Sequence, residues 1–402
     1  MQEQKSYRRF CGLDVGKNVH TLCIIDAQQN TLAPARSFRN DRRGFEQLLV
    51  SLQQTGRKHT VLIGMEATGH YWYSLHHTLT QQGYTVKVLN PIQTARQAER
   101  EVRKRKTDKL DAHRIAVLLK NGNYRSALIP GELAMTCRQA TRLHCRLIHQ
   151  QTRLKQLIQA QLHPVWPEYE TLFTDPFSVT SRKLLAQSPV PADLLTWDED
   201  RLREFLHKTS RGKHGPQQAQ DIRQAAQDSV GMQRGLPGTR LAIQILLEQM
   251  ENAEPLLHKL KEQIEALAQQ IPAYLQTLPG STRPSTVSLY GEVDPIATFQ
   301  TPSQLVAFAG LDPHVYQSGQ YDAPQRRISK RGSPFLRRTI WQMAYRAIYQ
   351  EGDLRQFWLR KRAQQKHHLA AVTAVAGKLC HIIWRIMTDE RDYVPEGRPS
   401  QR

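Results

Sequence analysis

Four acidic residues from distant parts of the chain have the types and spacing that a divalent-metal site requires. Asp14 lies in an alternating apolar and polar segment (residues 11–26) that predicts a strand, and Glu66 ends a second apolar segment, VLIGME. Asp108 and Asp111 lie in KTDKLDAHRIAVLL, whose apolar spacing is helical, so their carboxylates share one face. Clustered negative charges repel one another unless a cation lies between them. Oxygen ligands without His or Cys favour Mg²⁺ or Mn²⁺ over zinc.

Each of these acids also has an ordinary structural explanation. Asp14 fits a residue that caps a turn, Glu66 fits a surface position, and two Asp residues three apart on a helix usually form a solvated face. The order strand, strand, helix is, however, the order in which ribonuclease-H-like nucleases place their acids. Such two-metal sites cut or join phosphodiesters by clamping the attacking and leaving oxygens. The four acids together therefore predict a site for phosphodiester chemistry.

The charge balance indicates the substrate. The chain has 402 residues, with 56 Lys plus Arg against 36 Asp plus Glu, a formal net charge of +20. Such a surplus is typical of proteins that displace counterions from phosphate backbones and is rare in enzymes of small substrates. The densest basic segment, Arg103, Lys104, Arg105 and Lys106, runs directly into the second acid pair. We therefore expect these four cations to contact nucleic acid, although a charge run can also be a solvated face.

Cysteine usage and the N-terminus limit the remaining classes. The five cysteines include no CxxC pair, so neither a zinc ribbon nor a disulfide framework is indicated. The first residues, MQEQKSYRRF, lack the apolar core of a signal peptide, and no segment approaches a membrane span. We expect a protein of the prokaryotic cytoplasm, associated with the nucleoid and not with a membrane.

The organisation of the chain predicts three parts. Residues 1–130 alternate strand-like and helical patterns, which is typical of an α/β domain. Residues 131–275 are helical, and apolar residues from Ile243 to Ile271 follow a spacing of three and four for about four heptads. This spacing predicts a coiled coil, whose partner is either the helix over 138–162 of the same chain or another subunit. A single amphipathic helix packed within the chain is the alternative. Residues 276–402 form a separate, mainly α-helical domain.

The C-terminal part carries a second candidate for chemistry. LPGSTRPSTVSLYGEV (278–293) has the form of a helix-hairpin-helix, in which a Pro-Gly turn offers backbone N–H groups to a phosphate. Ser318 lies in a Gln-Ser-Gly loop that is ordinarily a turn, but cations follow it closely. A serine among cations that stabilise negative charge is also suited to nucleophilic attack on phosphorus. The cations expected to contact nucleic acid here are Arg327, Lys330, Arg331 and Arg337, with Arg326 and Arg338 beside them.

Six segments follow one another along the chain: GLDVGKNVH, GMEATGHYW, KTDKLDAHRIA, FAGLDP, QSG and ISKRGSPFLRR. In this order they resemble the DEDD transposases of the insertion-sequence-110 family, which includes the Piv-type invertases. The resemblance implies a RuvC-like N-terminal domain, a coiled-coil connection and a C-terminal transposase domain. It implies a site-specific recombinase guided by a structured bridge RNA, whose loops pair with donor and target DNA. The family's metal-binding acids map onto Asp14, Glu66, Asp108 and Asp111, and its nucleophilic serine maps onto Ser318.

One serine per chain also bears on assembly, because recombination of two duplexes cuts four strands. We therefore expect a homo-oligomer, either a tetramer or a dimer of dimers.

Two other functions remain open from the sequence. A metal-dependent junction-resolving nuclease would use the acids without a covalent intermediate, and a transposon-derived nucleic-acid-binding protein would use neither the acids nor Ser318. No GxxxxGK[ST] motif is present, which agrees with strand exchange that conserves phosphodiester energy without ATP.

Overall fold

The computed structural model describes residues 7–67, 69–89, 94, 107–122, 124, 126–313, 317–318, 321–322 and 327–395. The chain divides into two compact units, Met1–Ile129 and Pro130–Arg402. Helices and strands are numbered below in chain order among the described residues. The basic segment Arg103–Lys106 and Arg326 lie outside these residues.

The first unit is built on a mixed sheet. Its strands lie side by side in the order β3, β2, β1, β4, β5, β6. Strands β1, β4 and β5 are parallel to one another, whereas β2, β3 and β6 join by antiparallel pairing. The strands are β1 (Arg9–Val15), β2 (Val19–Asp26), β3 (Thr31–Arg39), β4 (Val61–Glu66), β5 (Thr85–Leu89) and β6 (Ser126–Ala127).

Helices cover both faces of this sheet, because its central strands are apolar on both sides. Helices α1 (Arg42–Thr55) and α2 (Trp72–Gln81) pack on the face that carries Leu13 and Ile63, and α3 (Asp108–Asn121) packs on the opposite face. A helical remainder follows this α/β unit. The arrangement is consistent with the expected RuvC-like fold.

The expectation of one strand over residues 11–26 is wrong. The segment forms a hairpin of β1 and β2, in which Cys11 pairs with Ile24 and Asp14 with Thr21. Gly16, Lys17 and Asn18 make the turn, and the Gly16 N–H donates to the Val19 carbonyl at 3.2 Å. Gly and Asn are residues that turns favour, so the signal for the break was present in the sequence.

The second unit is mainly helical, with one two-stranded hairpin among the described residues. The first unit has a short 3₁₀ segment at Lys58–Thr60, and the second unit has others at Pro167–Thr171, Ala273–Thr277 and Ile296–Thr298. The α-helices and strands of the second unit are α4 (Glu132–Leu162), α5 (Val179–Gln187), α6 (Pro191–Leu194), α7 (Glu199–Ser210), α8 (Pro216–Gln227), α9 (Leu236–Ala268), α10 (Arg283–Val293), α11 (Pro302–Ala309), β7 (Gln317–Ser318), β8 (Tyr321–Asp322), α12 (Pro334–Ala347), α13 (Asp353–Ala363) and α14 (His368–Asp389).

The heptad segment forms α9, and its partner is α4 of the same chain. The two helices run antiparallel, since Cys137 near the start of α4 shares a core with Ile264, and Ile158 near its end shares another with Ile243. The Gln151 side-chain amide also donates to the Met250 carbonyl at 3.0 Å. Of the two partners that the sequence left open, the structure shows the helix of the same chain.

The second unit has two hydrophobic cores, one at each end of the α4–α9 pair. Helices α5 to α8 surround the C-terminal half of α4, with Trp166 and Tyr169 fully buried. Helices α10 to α14 surround the other end. Helix α14 is long and apolar enough to cross a membrane, contrary to the expectation from sequence, yet 44% of its most apolar window is buried within the protein. Its buried residues, among them Leu379 and Ile383, pack into this core, which accounts for its composition.

Candidate active site

Asp14 is the last residue but one of β1, and Glu66 is the last residue of β4, the parallel strand beside it. In the register of β1 and β4, Gly12 pairs with Gly64 and Leu13 with Met65, so Asp14 and Glu66 follow side by side. Side chains two residues apart on a strand point to the same face, which places both carboxylates on the face that carries Gly12 and Gly64. This is the face against which α3 packs.

The two glycines let α3 approach the sheet closely. A Cβ atom added at Gly12 would overlap the backbone carbonyl of Ala112, and one added at Gly64 would lie 2.7 Å from a Leu119 methyl. Alanine residues on α3 face the same contact, and Ala112 and Ala116 are fully buried. The close contact fixes the position of the N-terminal turn of α3 relative to the two strand ends.

The first turn of α3 carries the second acid pair. Thr107 caps the helix, and its hydroxyl accepts a hydrogen bond from the Leu110 N–H at 3.3 Å. Asp108 and Asp111 both lie in this first turn. The unsatisfied N–H groups and partial positive charge of a helix N-terminus stabilise carboxylates there, which explains why two acids are tolerated close together.

Electrostatics link all four acids. Burial raises the pKa of Asp14, and the charges of Asp108, Asp111 and Glu66 raise it further, to about 6. The Val15 N–H, which donates to the Asp14 carboxylate, opposes this effect only in part. Asp14 is half-buried, and the other three acids are close enough to resist its ionisation. A divalent cation would remove this repulsion.

Two of the acids have protein partners that the sequence did not predict. The Thr94 hydroxyl donates to Oε2 of Glu66 at 2.7 Å, and Nη1 of Arg114 donates to Oδ1 of Asp111 at 2.6 Å. The Arg114 side chain is only 6% exposed, so it is a buried counter-charge within the cluster. The spacing of three residues between Asp111 and Arg114 was the signal that could have revealed this pair.

The donor chemistry fits a hard divalent cation, because the four candidate ligands are carboxylates. Within the described ranges, no three His, Cys, Asp or Glu side chains lie close enough together to bind one ion. The charges of the four acids therefore act on one another without forming a common ligand set. One carboxylate oxygen of Glu66 bonds to Thr94, and one of Asp111 bonds to Arg114. Metal binding would require these side chains to turn toward a common centre.

Ser318 lies in the two-stranded hairpin of the second unit. Gln317 and Ser318 form β7 and pair with β8, so the segment is a short strand where the sequence indicated a loop. The Ser318 side chain lies outside the description. Backbone and side-chain contacts hold the base of the hairpin together. Pro313 forms a β-bridge with Ile328. The Ser329 hydroxyl donates to the Asp312 carboxylate, and the Ser329 N–H donates to the Asp312 carbonyl at 2.8 Å.

The cations that follow Ser318 divide into two groups. Arg327, Lys330 and Arg331 are exposed. Arg337 and Arg338 are partly buried and bonded within the unit. Nη1 of Arg337 donates to the Ala309 carbonyl at 3.1 Å, and Nη1 of Arg338 lies 2.7 Å from Sγ of Cys145 and 2.8 Å from Nε2 of His149.

A buried carboxylate anchors the region beside this hairpin. Glu292, whose side chain is 1% exposed, accepts two bonds from Arg142 of α4, at 2.6 and 2.9 Å. It also accepts from the Ser333 hydroxyl at 2.8 Å, and Ser333 caps α12 by accepting from the Leu336 N–H. Glu292 thus joins α4, α10 and the start of α12, a role that sequence reasoning missed.

The Pro-Gly turn expected to offer N–H groups to a phosphate is instead used within the protein. The Gly280 N–H donates to the Gln350 side chain at 2.9 Å, and the Gly280 carbonyl accepts from Nε of Arg346 at 2.8 Å. A 3₁₀ segment, Ala273–Thr277, precedes this turn, and α10 follows it. The Gly280 amide is therefore not open to a ligand.

Comparison with protein families identifies both ends of the chain. A model described as a transposase matches residues 11–167, and a model of the transposase IS116/IS110/IS902 family matches residues 273–359. Together the two models cover more than half of the chain. The chain belongs to this transposase family. The first match contains all four acids, and the second contains Ser318 and the cations that follow it.

Individual relatives agree with this family. This chain is 22% identical to the insertion element IS116 uncharacterized 44.8 kDa protein of Streptomyces clavuligerus. The alignment spans 399 residues and covers 96% of each chain. This chain is 27% identical over 173 residues to the transposase for insertion sequence element IS1111A of Coxiella burnetii, which covers 42% of this chain and 46% of that one. A 109-residue region is 31% identical to the pilin gene-inverting protein of Moraxella bovis, covering 26% and 32% of the two chains.

Proposed function

We propose that this transposase-family protein is a site-specific DNA recombinase that is guided by a structured RNA and acts through Ser318. The observation that carries the proposal is the coupling of Asp14 to Glu66, Asp108 and Asp111 at the C-terminal ends of the central strands β1 and β4. Such a cluster is costly to the fold unless a cation binds it, so its presence indicates a function. The family match supports DNA as the substrate.

In this proposal, the four acids would hold one or two Mg²⁺ or Mn²⁺ ions, and these would supply charge stabilisation to the phosphodiester chemistry. Oγ of Ser318 attacks the phosphorus, forming a phosphoserine bond as the bond from phosphorus to the 3′-oxygen breaks. The proton of the serine hydroxyl is lost and the 3′-oxygen gains one. Attack by another strand's 3′-hydroxyl reverses these steps and releases the serine, so strands are exchanged without loss of phosphodiester energy.

The basic surplus supports the nucleic-acid partners of this proposal. We propose that Arg103–Lys106 contact the guide RNA or duplex through its backbone, and that Arg327, Lys330 and Arg331 contact the DNA backbone near Ser318. Two duplexes and one serine per chain favour four subunits acting together on DNA in the nucleoid. Sequencing the nucleic acid that co-purifies with the full chain tests the RNA partner and supplies the DNA sites.

The serine step is tested by trapping. With the sites so identified, wild-type protein and Mg²⁺ should give a covalent protein–DNA adduct that survives denaturing electrophoresis. Ser318→Ala should bind RNA and DNA as the wild type does yet give no adduct, whereas Ser303→Ala, at an exposed serine of α11, should give the adduct normally.

Loss of the acids gives a second, independent result. Asp111→Asn should abolish cleavage, because an amide ligates Mg²⁺ poorly and the lost charge stabilisation is worth roughly a thousandfold or more in rate. If Ser318→Ala still cuts DNA in Mg²⁺ and leaves free ends, water is the attacking group. The protein would then be a metal-dependent junction-resolving nuclease.

A further inference from the structure

An aromatic stripe runs along α12 and continues past its end. It consists of Trp341, Tyr345 and Tyr349, spaced four residues apart, and His368 at the start of α14. The rings of Trp341 and Tyr345 are stacked, with centroids 5.5 Å apart and an angle of 16°. Tyr349 and His368 both meet the Tyr345 ring nearly at right angles, at 5.5 and 6.1 Å.

The outer rings of this stripe face solvent. Tyr345 is 38% exposed and Tyr349 is 63% exposed, whereas Trp341 is partly buried and packs against the hydrophobic core. The two hydroxyls contact each other at 3.4 Å and hold the two side chains together. The stripe thus presents ordered aromatic faces to solvent, with the side-chain entropy already partly lost in the unbound protein.

The surroundings of the stripe are cationic. Between Asp353 and Asp389 the sequence has no acidic residue, while Lys and Arg recur throughout. The turn before His368 carries exposed Lys366 and His367, and Nη1 of Arg362 donates to the Lys366 carbonyl at 2.6 Å, which orders this turn. On the other side of the stripe, Glu351 is the acidic residue nearest in sequence to Tyr349. Positive charge beside exposed rings favours a polyanion that also carries planar groups.

We propose that the aromatic stripe binds unpaired bases of a nucleic acid by stacking on Tyr345 and Tyr349, with the cations of the α13–α14 turn on the adjoining phosphates. Every base has a stacking face, but a base inside a duplex has both faces covered by its neighbours, so the occupant is single-stranded. The proposal rests on the proposed function, since it names the part of the nucleic acid that this surface takes. Unpaired RNA and unpaired DNA share the chemistry.

The test isolates stacking from charge. Full-length protein in EDTA is titrated against fluorescein-labelled chains of twenty deoxythymidines, of twenty uridines, and of twenty abasic deoxyribose phosphates, and binding is followed by anisotropy. The abasic chain keeps the phosphates but lacks bases, so the ratio of affinities measures the contribution of the bases. For wild type the base-bearing chains should bind more tightly.

Tyr349→Ala should remove much of this ratio, a loss of about 5- to 150-fold for one stacked base. Tyr349→Phe keeps the ring and should stay within about twofold of wild type. Leu359→Ala, at an apolar residue of α13 that is 43% exposed, is the matched control and should leave the ratio unchanged. Preference for the uridine chain would point to RNA as the source, and preference for the thymidine chain to DNA.

Two results would overturn the proposal. One is a Tyr345→Ala, Tyr349→Ala double variant that is folded by circular dichroism and keeps the wild-type ratio. The other is a lower oligomer mass by light scattering in that variant with the ratio retained, which would make the stripe a contact between copies of the chain. Because the assay contains no metal and measures no cleavage, failure of the serine mechanism would leave its result unaffected.

Discussion

Replacing Asp14 by Asn should stabilise the metal-free protein at neutral pH, although it removes a proposed metal ligand. Burial and the charges of Asp108, Asp111 and Glu66 raise the pKa of Asp14 from 3.8 to about 6. A carboxyl whose pKa is raised by folding destabilises the folded state when it is ionised. This penalty is full above pH ~6 and disappears as the pH falls toward the unfolded value. Asn occupies the same space without the charge.

The difference between a pKa of 3.8 and one of about 6 corresponds to roughly 3 kcal/mol at most. Asp14 is only half-buried and Arg114 offsets part of the negative charge, so solvent screening reduces the expected gain to about 1–2 kcal/mol. For a chain of 402 residues that is a rise of roughly 1–2 °C in melting temperature. The gain should be smaller at pH 5 than at pH 7.5.

Thermal unfolding in EDTA, followed by circular dichroism at these two pH values, measures the effect. Asp26→Asn is the matched control, because at Asp26 the effect of desolvation is outweighed by hydrogen bonds from Asn30 and Gln28 together, so the pKa of Asp26 is lowered. Its replacement should therefore not stabilise the protein at pH 7.5. Added Mg²⁺ should raise the melting temperature of wild type more than that of Asp14→Asn. An Asn variant no more stable than wild type, or equally stabilised at both pH values, would refute the reasoning.

Three further substitutions test the architecture around the two candidate sites. Gly12→Ala should cost about 1–3 kcal/mol in urea unfolding and abolish stabilisation by Mg²⁺, because the added methyl displaces the helix that carries two of the acids. Leu257→Asp, at a residue 8% exposed, should lower the melting temperature strongly, whereas Leu256→Asp, at one 58% exposed, should not; a lower oligomer mass for Leu256→Asp by light scattering would instead show association through this face. Arg142→Met should cost about 3–5 kcal/mol in urea unfolding, because it leaves the Glu292 charge buried without its partner.

Local patterns in the sequence determined the elements of the site. The apolar segment VLIGME and the helical spacing of KTDKLDAHRIAVLL predicted β4 and α3, and the structure confirms these elements, because the preference for a strand or helix follows from the local chain. The apolar spacing of α9 was readable for the same reason. The basic composition and the ordered motifs indicated a nucleic-acid enzyme of this transposase family, which the comparisons confirm at the level of the family.

Only the tertiary structure decided which surfaces meet. A heptad pattern shows that α9 has an apolar face, but not that α4 of the same chain covers it, because any apolar surface of matching shape satisfies the same pattern. The sequence likewise did not reveal that Glu292 would be buried against Arg142, or that the Gly280 N–H would bond to Gln350. Such polar partners depend on groups that folding brings together from distant positions, and burial makes each partner necessary.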